Sequence, residues 1–217
     1  MPEEVKTVVQ CDFDGTITVE DVSFKMLEAY ADSSWKQLRK RYHDGEISVG
    51  RFNTEAFSLV KVGKEALLEV AHSTMTMRPG LPELVNCCRR KDFHFTIISN
   101  GLDFYIEDIL KISGLNDIEV HAAETRFSPG KLVARYVTPS GMEIENGLKE
   151  AYVDRFLSEG YRVIYIGNGV SDIAAAVKCH HIFATGELLD YCKKHPELSY
   201  IELTDFFEAT RVLEESF

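Results

Sequence analysis

Positive charge is scarce in this sequence, which has 24 Lys and Arg residues against 35 Asp and Glu residues. The resulting net charge of −11 argues against nucleic acid or an anionic membrane surface as a partner. An acidic protein that acts on an anionic substrate needs a metal ion and a few well-placed Lys or Arg side chains. The composition therefore directs attention to a small-molecule site.

The sequence also lacks the features of secreted, membrane-spanning and zinc-binding proteins. No apolar run approaches the roughly 18 residues of a membrane span, and the start, Met-Pro-Glu-Glu, has no basic and then apolar signal segment. We therefore expect a cytoplasmic protein. No disulfide framework or zinc site is predicted, because no C-x-x-C pair occurs among the scattered cysteines, which are Cys11, Cys87, Cys88, Cys179 and Cys192.

A short β-branched apolar run near the N-terminus ends abruptly in two carboxylates. The stretch from Thr7 to Cys11 reads as a buried parallel strand, and Asp12 and Asp14 follow it. Side chains of an extended chain alternate, so both carboxylates point the same way. Two close carboxylates need a cation between them, or one must keep its proton near neutral pH. A lone Asp after a strand is more often a turn former or a helix cap, but the pair in D-x-D-G-T favours chemistry.

The rest of the chain predicts an α/β fold with a Rossmann-like, mostly parallel sheet. Helical spacing fills residues 18–77, which we interpret as a small helical cap domain inserted after the first strand. Residues 1–17 and 78–217 then form the core domain, in which strands alternate with helices. The β-rich interval 124–145, broken by Ser-Pro-Gly and Pro-Ser-Gly, predicts hairpins at a sheet edge or a flap.

Two further buried strands end in polar residues. The strand from Phe93 to Ile98 stops at Ser99-Asn100-Gly101, and the strand from Tyr161 to Ile166 leads into a loop that contains Asn168 and Asp172. Ligands of parallel sheets bind beyond the carboxyl ends of the strands. We therefore expect these residues to meet Asp12 and Asp14 at one rim. Lys149, at the start of a predicted helix, opposes the helix dipole, which is a small argument for a functional role.

These residues resemble, in order and character, the four motifs of the haloacid dehalogenase superfamily of phosphohydrolases. The resemblance implies that Asp12 is the nucleophile that forms an aspartyl-phosphate, and that Asp14 is the general acid and base. It also implies a Mg²⁺ ion bound by Asp12, by the carbonyl of Asp14, and by Asn168 and Asp172 of motif four.

The same resemblance implies how the phosphoryl group is held. Ser99 and the N–H groups of Asn100 and Gly101 would bind its oxygens, and Lys149 would neutralise charge on the nucleophile and the phosphate. Gly15 and Thr16 complete the phosphate loop of the first motif. Each of three residues, taken alone, also has a structural interpretation. Ser99 could cap a strand end, Lys149 could be a solvated helix charge, and Asp172 could cap the next helix.

One position departs from the family pattern, because Asn168 stands where motif four usually has Asp. An amide oxygen can bind Mg²⁺ but carries no charge, so we expect weaker metal affinity unless Asp172 binds the ion directly or through water. This departure motivates an alternative hypothesis, a catalytically weak or inactive member that binds a phosphorylated ligand. A phosphotransferase or phosphonate hydrolase on the same scaffold is a third hypothesis, and the latter would need a Schiff-base lysine, for which Lys25 and Lys36 are the candidates.

The helical insert resembles the cap of the phosphoserine phosphatase-like branch, in which Asp21 would face the substrate. The opening D-F-D-G-T-I-T also matches the methionine-salvage phosphatases that act on 2-hydroxy-3-keto-5-methylthiopentenyl-1-phosphate. In that branch a cap Arg binds the carboxylate of phosphoserine, and its position would fall near Glu55 or Ala56 here. No cation stands at that position, although Arg51 is a few residues away, and this absence argues against phosphoserine. Three cap aromatics are candidates for an apolar pocket or for cap core, namely Phe24, Phe52 and Phe57. The leading hypothesis is a Mg²⁺-dependent phosphatase of a small phosphorylated metabolite, monomeric or homodimeric.

Overall fold

The computed structural model describes residues 5–128 and 131–217. The strands are β1 (Thr7–Cys11), β2 (His94–Leu102), β3 (Glu119–Ser128), β4 (Lys131–Val137), β5 (Glu143–Ile144), β6 (Arg162–Gly167), β7 (His181–Ala184) and β8 (Tyr200–Glu202). The helices are α1 (Val22–Tyr30), α2 (Trp35–His43), α3 (Val49–Ser58), α4 (Lys64–Thr74), α5 (Leu81–Arg90), α6 (Asp103–Ile112), α7 (Leu148–Ser158), α8 (Val170–Ala176), α9 (Gly186–Lys194) and α10 (Phe206–Ser216).

The strands form one sheet in the order β5-β4-β3-β2-β1-β6-β7-β8. The apolar run of β1 is fully buried and lies between β2 and β6, parallel to both. Cys11 at the end of β1 is level with Ile97 on one side and Ile166 on the other. The predicted α/β class and mostly parallel sheet are therefore confirmed, and the carboxyl ends of the three strands lie side by side.

Strand β2 is longer than predicted and reaches Leu102 instead of ending at Ile98. Its pairing with β3 shifts register between Ile98 and Leu102, where Leu102 resumes the ladder opposite Ala123. The segment Ser99-Asn100-Gly101 lies within this irregularity. A bulge of this kind turns side chains and N–H groups away from the regular ladder, and this segment lies at the rim.

The predicted hairpin at a sheet edge is present. Strand β3 is parallel to β2 at its start and antiparallel to β4 at its end, and β5 pairs with β4 as the edge strand. The Ser-Pro-Gly break that we predicted between the strands falls on residues 129–130, outside the described residues.

Four helices, α1 to α4, lie between β1 and α5, where the sequence predicted a helical insert. The helix α2 carries few apolar residues and was not identified by spacing. The two connections of the insert run together, since Thr18 forms an isolated bridge with Met77 and the Glu20 carboxylate accepts a hydrogen bond from the Thr76 N–H at 2.9 Å. The division of the chain into two domains at these connections stays a prediction.

The insert also touches the hairpin. The Gly50 N–H on α3 donates to the Glu145 carbonyl oxygen at 2.9 Å, and the Asn53 amide donates to the Asn100 carbonyl oxygen at 2.8 Å. These contacts seat α3 on the strands that border the rim. Across the described ranges, 5–128 and 131–217, every helix is too short or too polar to traverse a lipid bilayer.

Candidate active site

Asp12 and Lys149 form a buried ion pair at the carboxyl edge of the sheet. Their side chains are 7% and 1% exposed, and the Lys149 Nζ atom lies 2.9 Å from Asp12 Oδ2. Burial raises the pKa of Asp12 to about 6, and the neighbouring Lys149 cation works against a larger rise. Burial alone would lower the pKa of Lys149, but Asp12 and Asp172 outweigh it and raise it. The plainer role of Lys149 as a solvated helix charge is therefore excluded by its burial.

Asp172 is fully buried and holds Lys149 from the other side. Its Oδ1 atom accepts hydrogen bonds from Lys149 Nζ at 2.6 Å and from the Tyr165 hydroxyl at 2.7 Å. Its Oδ2 atom accepts from the N–H groups of Asn168, at 3.0 Å, and Gly169, at 2.8 Å. Each oxygen thus has two donors, so Asp172 fixes Lys149 and the start of α8 in this arrangement. This contrasts with the direct metal contact that we expected for it.

Asn168 lies against the loop that follows Asp14. The Thr16 hydroxyl donates to Asn168 Oδ1 at 2.9 Å, and Thr16 is fully buried. Gly15 has φ +74°, and a Cβ atom there would lie 2.2 Å from Asn168 Nδ2. Only glycine fits this close approach in a left-handed conformation. Thr16 therefore orients Asn168 and does not face the cleft, where we had expected it to bind phosphate.

The segment Ser99-Asn100-Gly101 borders the same rim from β2. Ser99 is 1% exposed, and its hydroxyl oxygen accepts a hydrogen bond from the Gly101 N–H at 3.0 Å. The Gly101 N–H is therefore already used within the segment, whereas we had expected it to bind phosphate. The Asn100 carbonyl oxygen accepts hydrogen bonds from Asn53 at 2.8 Å and from the Tyr136 hydroxyl at 2.6 Å. These contacts fix the segment beside Asp12 and Asp14.

Asp14 is held by two donors from different elements. Its Oδ1 atom accepts from the Val22 N–H at the start of α1, at 2.8 Å, and its Oδ2 atom accepts from the Tyr105 hydroxyl on α6. Burial and the nearby Asp21 carboxylate raise the pKa of Asp14 well above its usual range. A carboxyl group with a raised pKa can carry a proton near neutral pH, as a general acid requires.

The site opens into a cleft of about 1060 Å³ between the sheet edge and the helical insert. Asp21 lines the cleft and caps α1, since it accepts from the Phe24 N–H at 2.9 Å. Phe24 lines the cleft as a partly buried ring, Phe52 borders it but is only 2% exposed, and Phe57 is fully buried in the core. The insert therefore supplies an apolar wall opposite the carboxylates.

Cations of the insert are distributed differently from our expectation. Arg51 pairs with Glu55 at 2.6 Å on an exposed part of α3. Arg39 on α2 lines the cleft instead, with its guanidinium 4.3 Å from the centre of the Phe24 ring. A cation therefore lines the cleft from α2, and the argument against phosphoserine, which concerned α3, stays a prediction.

Several residues at the site were not identified from the sequence. They are Gln10, whose amide donates to the Lys149 carbonyl oxygen at 3.1 Å, Asn53, Tyr105, Tyr136 and Tyr165. Each is a single polar group on an otherwise apolar face of a helix or strand. Such a residue is a detectable signal, but its partner depends on packing between distant elements.

Residues at the rim offer oxygen donors of the kind that a Mg²⁺ ion binds. Asp12 and the loop Asp14-Gly15 adjoin Asn168, because the Asp12 N–H donates to the Ile166 carbonyl oxygen at 2.9 Å and Gly15 touches the Asn168 amide. A carboxylate, a backbone carbonyl and an amide oxygen are hard oxygen donors, which suit Mg²⁺. Within residues 5–128 and 131–217, no three His, Cys, Asp or Glu side chains group as a metal site. These donors therefore fit a Mg²⁺ ion, although the site has one carboxylate fewer than it would have with Asp at position 168.

A family model for haloacid dehalogenase-like hydrolases matches residues 9–176 of this chain. A protein of Brevibacillus brevis, named 2-hydroxy-3-keto-5-methylthiopentenyl-1-phosphate phosphatase, is 26% identical over 214 residues, which cover 97% of this chain and 96% of that protein. A similarly named protein of Bacillus pumilus is 27% identical over 220 residues, which cover 97% of this chain and 94% of that protein.

Solved structures share the fold. A haloacid dehalogenase family hydrolase from Salmonella enterica serovar Typhi has a TM-score of 0.74 at 17% identity and covers 100% of this chain and 74% of its own. Phosphoserine phosphatase from T. onnurineus has a TM-score of 0.71 at 19% identity and covers 99% of this chain and 98% of its own. At these identities the likeness supports the fold alone.

The matched region contains every rim residue from Asp12 to Asp172. The predicted enzyme class, a hydrolase, is confirmed by the family match and the named relatives. The chain belongs to the haloacid dehalogenase-like hydrolase family.

Proposed function

We propose that this protein is a Mg²⁺-dependent phosphomonoester hydrolase that acts on a small phosphorylated metabolite through an aspartyl-phosphate. The observation that carries the proposal is the buried ion pair between Asp12 and Lys149 at the floor of the cleft, 2.9 Å apart, with Asp14 beside it. A buried charged pair is costly to maintain. A catalytic role explains why a nucleophile, a cation and an acid are gathered at one rim.

Asp12 is the proposed nucleophile. Its ionised oxygen attacks phosphorus, the bond to the substrate oxygen breaks, and the resulting acyl phosphate is hydrolysed in a second displacement. Asp14 gives a proton to the leaving alcohol and later takes one from the attacking water. Lys149 balances negative charge that would otherwise repel the phosphate, and Ser99 supplies a hydroxyl to a phosphoryl oxygen.

Asp12, the carbonyl of Asp14 and Asn168 would hold the Mg²⁺ ion, which supplies charge neutralisation for the phosphoryl group when bound. Asp172 is a positioning residue in this proposal, because its four hydrogen bonds fix Lys149 and the loop 167–169. Asn100 and Gly101 shape the phosphate side of the rim, and Gly15 allows the loop to approach it closely.

The first substrate to test is 2-hydroxy-3-keto-5-methylthiopentenyl-1-phosphate, the compound in the names of the Brevibacillus and Bacillus relatives. The apolar wall of Phe24 and Phe52 supports a substrate with an apolar end, and Asp21 supports one with hydroxyl groups. Phosphoserine is the natural comparison, since Arg39 could receive its carboxylate.

Asn168 favours one second candidate, a protein that binds a phosphorylated ligand without turnover. Its amide replaces a metal-binding charge, and its Oδ1 atom already accepts a hydrogen bond from Thr16. The phosphonate hydrolase hypothesis has less support, because Lys25 and Lys36 line the cleft as exposed side chains. A Schiff-base lysine needs burial or a neighbouring cation to become nucleophilic.

Phosphate release from a panel of phosphorylated metabolites, with Mg²⁺ or Mn²⁺, tests the proposal. We expect turnover by the wild-type protein and its loss in Asp12→Asn, which keeps the size of the side chain but removes the nucleophile. Asp154→Asn, on an exposed face of α7, is the matched control and should retain activity. Saturable binding of inorganic phosphate without turnover by any divalent metal would favour the binding protein instead.

A further inference from the structure

We propose that Tyr105 is a positioning residue that holds Asp14 in the orientation needed for proton transfer to the leaving group. The inference rests on the proposed function and adds a residue to its machinery. Tyr105 would act through Asp14 and would not touch the substrate.

Packing of its ring fixes the position of Tyr105 independently of its contact with Asp14. It lies on α6 and is fully buried, and its ring packs edge-on against Phe104, with centroids 5.5 Å apart, and near Phe13, at 6.2 Å. Its hydroxyl donates to Asp14 Oδ2. A buried phenol with a packed ring has few alternative rotamers, so its hydroxyl marks a fixed point for the carboxyl group.

Gly101 keeps the space in which Tyr105 and Asp14 meet. A Cβ atom at this position would lie 2.2 Å from the Tyr105 hydroxyl oxygen and 2.6 Å from Asp14 Oδ2. Both distances are far below van der Waals contact. The backbone at Gly101 is itself held, because its N–H donates to the Ser99 hydroxyl oxygen. The irregular segment of β2 therefore borders the proposed phosphate site and also leaves room for the contact between Tyr105 and Asp14.

The two donors to Asp14 leave it free to carry a proton toward the cleft. The Val22 N–H donates to Oδ1 and the Tyr105 hydroxyl donates to Oδ2. Asp14 must release a proton in the first step and take one in the second. A protonated carboxyl group still accepts hydrogen bonds at its remaining lone pairs, so both bonds can persist in both states and the orientation survives the change.

The test compares two aryl phosphates of similar size, phenyl phosphate and p-nitrophenyl phosphate, on the wild-type protein and Tyr105→Phe. Phenol is a poor leaving group and needs the proton from Asp14, whereas p-nitrophenolate leaves readily without it. The value of kcat/KM reports only the steps up to departure of the alcohol. Because proton transfer contributes roughly 10²- to 10⁴-fold, we expect kcat/KM to fall about tenfold or more for phenyl phosphate and less than about threefold for p-nitrophenyl phosphate.

Tyr152→Phe is the matched control. Tyr152 is 4% exposed and stacks on His121, with ring centroids 4.3 Å apart, on a different part of the sheet. Loss of its hydroxyl should leave both kcat/KM values unchanged. Inhibition by inorganic phosphate should be the same in wild type and Tyr105→Phe, because Tyr105 would not contact the phosphoryl group. If Tyr105→Phe did not fold, Gly101→Ala would displace the hydroxyl from Asp14 and should lower kcat/KM more for phenyl phosphate.

Two results would overturn the inference in different ways. Equal losses on both esters, or no loss on either, from a folded Tyr105→Phe protein would remove Tyr105 from proton transfer while leaving the phosphatase intact. Failure of the wild-type protein to release phosphate from these esters and from the metabolite panel with any divalent metal would remove the proposed function, and this inference with it.

Discussion

At the scale of single residues, the site depends on how a buried cation and buried carboxylates balance each other. Lys149 lies between Asp12 and Asp172, and all three side chains are less than 10% exposed. Two carboxylates and one amine leave the group with one negative charge when all are ionised. A divalent ion beside Asp12 would reverse that sign, which suits the binding of a phosphate dianion.

Replacing Lys149 by Met should destabilise the fold more at neutral than at acidic pH. Removing one partner of a buried pair leaves uncompensated charge and costs about 3–5 kcal/mol. Without Lys149 nothing opposes the burial that raises the pKa of Asp12 in the folded state, so the stability of the variant should rise as the pH falls toward about 5 and Asp12 takes up a proton. Urea unfolding at pH 7.5 and pH 5 would measure this.

Lys178→Met is the control for Lys149→Met. Lys178 pairs with Asp154 at 2.7 Å, but the two side chains are 39% and 57% exposed, and such surface pairs contribute about 0–1 kcal/mol. A loss of similar size in both variants, or one independent of pH, would contradict the uncompensated charge at Asp12.

Replacing Asn168 by Asp should tighten Mg²⁺ binding. The substitution adds a charged oxygen where the Asn168 amide adjoins Gly15 and accepts the Thr16 hydrogen bond. We expect about tenfold higher affinity, or about 1.4 kcal/mol, and lower stability without metal because like charges then lie close together. Calorimetric titration with MgCl₂ measures the affinity, with the exposed Asn86→Asp as the control for added charge. Unchanged or weaker binding would place Asn168 outside the metal's coordination shell.

At the scale of elements, the site is assembled from three strand ends and one face of the helical insert. The start of α1 contributes its capping residue Asp21 and the Val22 N–H that holds Asp14. Helix α3 contributes Asn53, which binds the Asn100 carbonyl oxygen. The seating of α3 on the hairpin therefore affects the rim directly.

Replacing Gly50 by Ala should weaken the packing of α3 against the hairpin. Alanine normally favours a helix over glycine by up to about 1 kcal/mol, but a Cβ atom at Gly50 would lie 2.6 Å from the Glu145 carbonyl oxygen and 3.0 Å from its Cα atom. Because backbone must move, we expect a loss of about 1–3 kcal/mol in the free energy of unfolding. Gly63→Ala is the control, since its Cβ atom would meet only the flexible end of Glu65, at 3.3 Å. A stabilised Gly50→Ala protein would show that α3 can shift freely on the hairpin.

At the scale of the whole molecule, three buried apolar strands were enough to predict the fold class and the edge of the sheet at which the candidate site lies. Buried apolar runs predicted β1, β2 and β6, and the polar residues after them share one edge because parallel strands point the same way. The roles of Thr16, Tyr105 and Tyr165 could not be predicted, because each depends on a contact between elements far apart in sequence. Helix α2 was missed because its mostly polar residues give weak apolar spacing.

The thiols report on the integrity of the whole fold. All five cysteines are free, and Cys11, Cys87, Cys88 and Cys192 are buried in the core. Burial raises the pKa of Cys88 to about 12 and that of the partly exposed Cys179 to about 12. Since the thiolate is the reactive form, we expect less than about one thiol to react with a disulfide reagent within minutes at pH 8 in the native protein, and all five in guanidinium.

The rate of thiol labelling should therefore follow opening of the core. Agents that stabilise the folded state, such as a ligand that binds only to it, should slow the labelling in proportion to the stability that they add. Cys179→Ser identifies any residual fast reaction, because Cys179 is the one thiol of the described residues that is not fully buried. Rapid labelling of the Cys179→Ser protein would mean that β1, α5 or α9 opens locally, and that the core is less tightly closed than its burial implies.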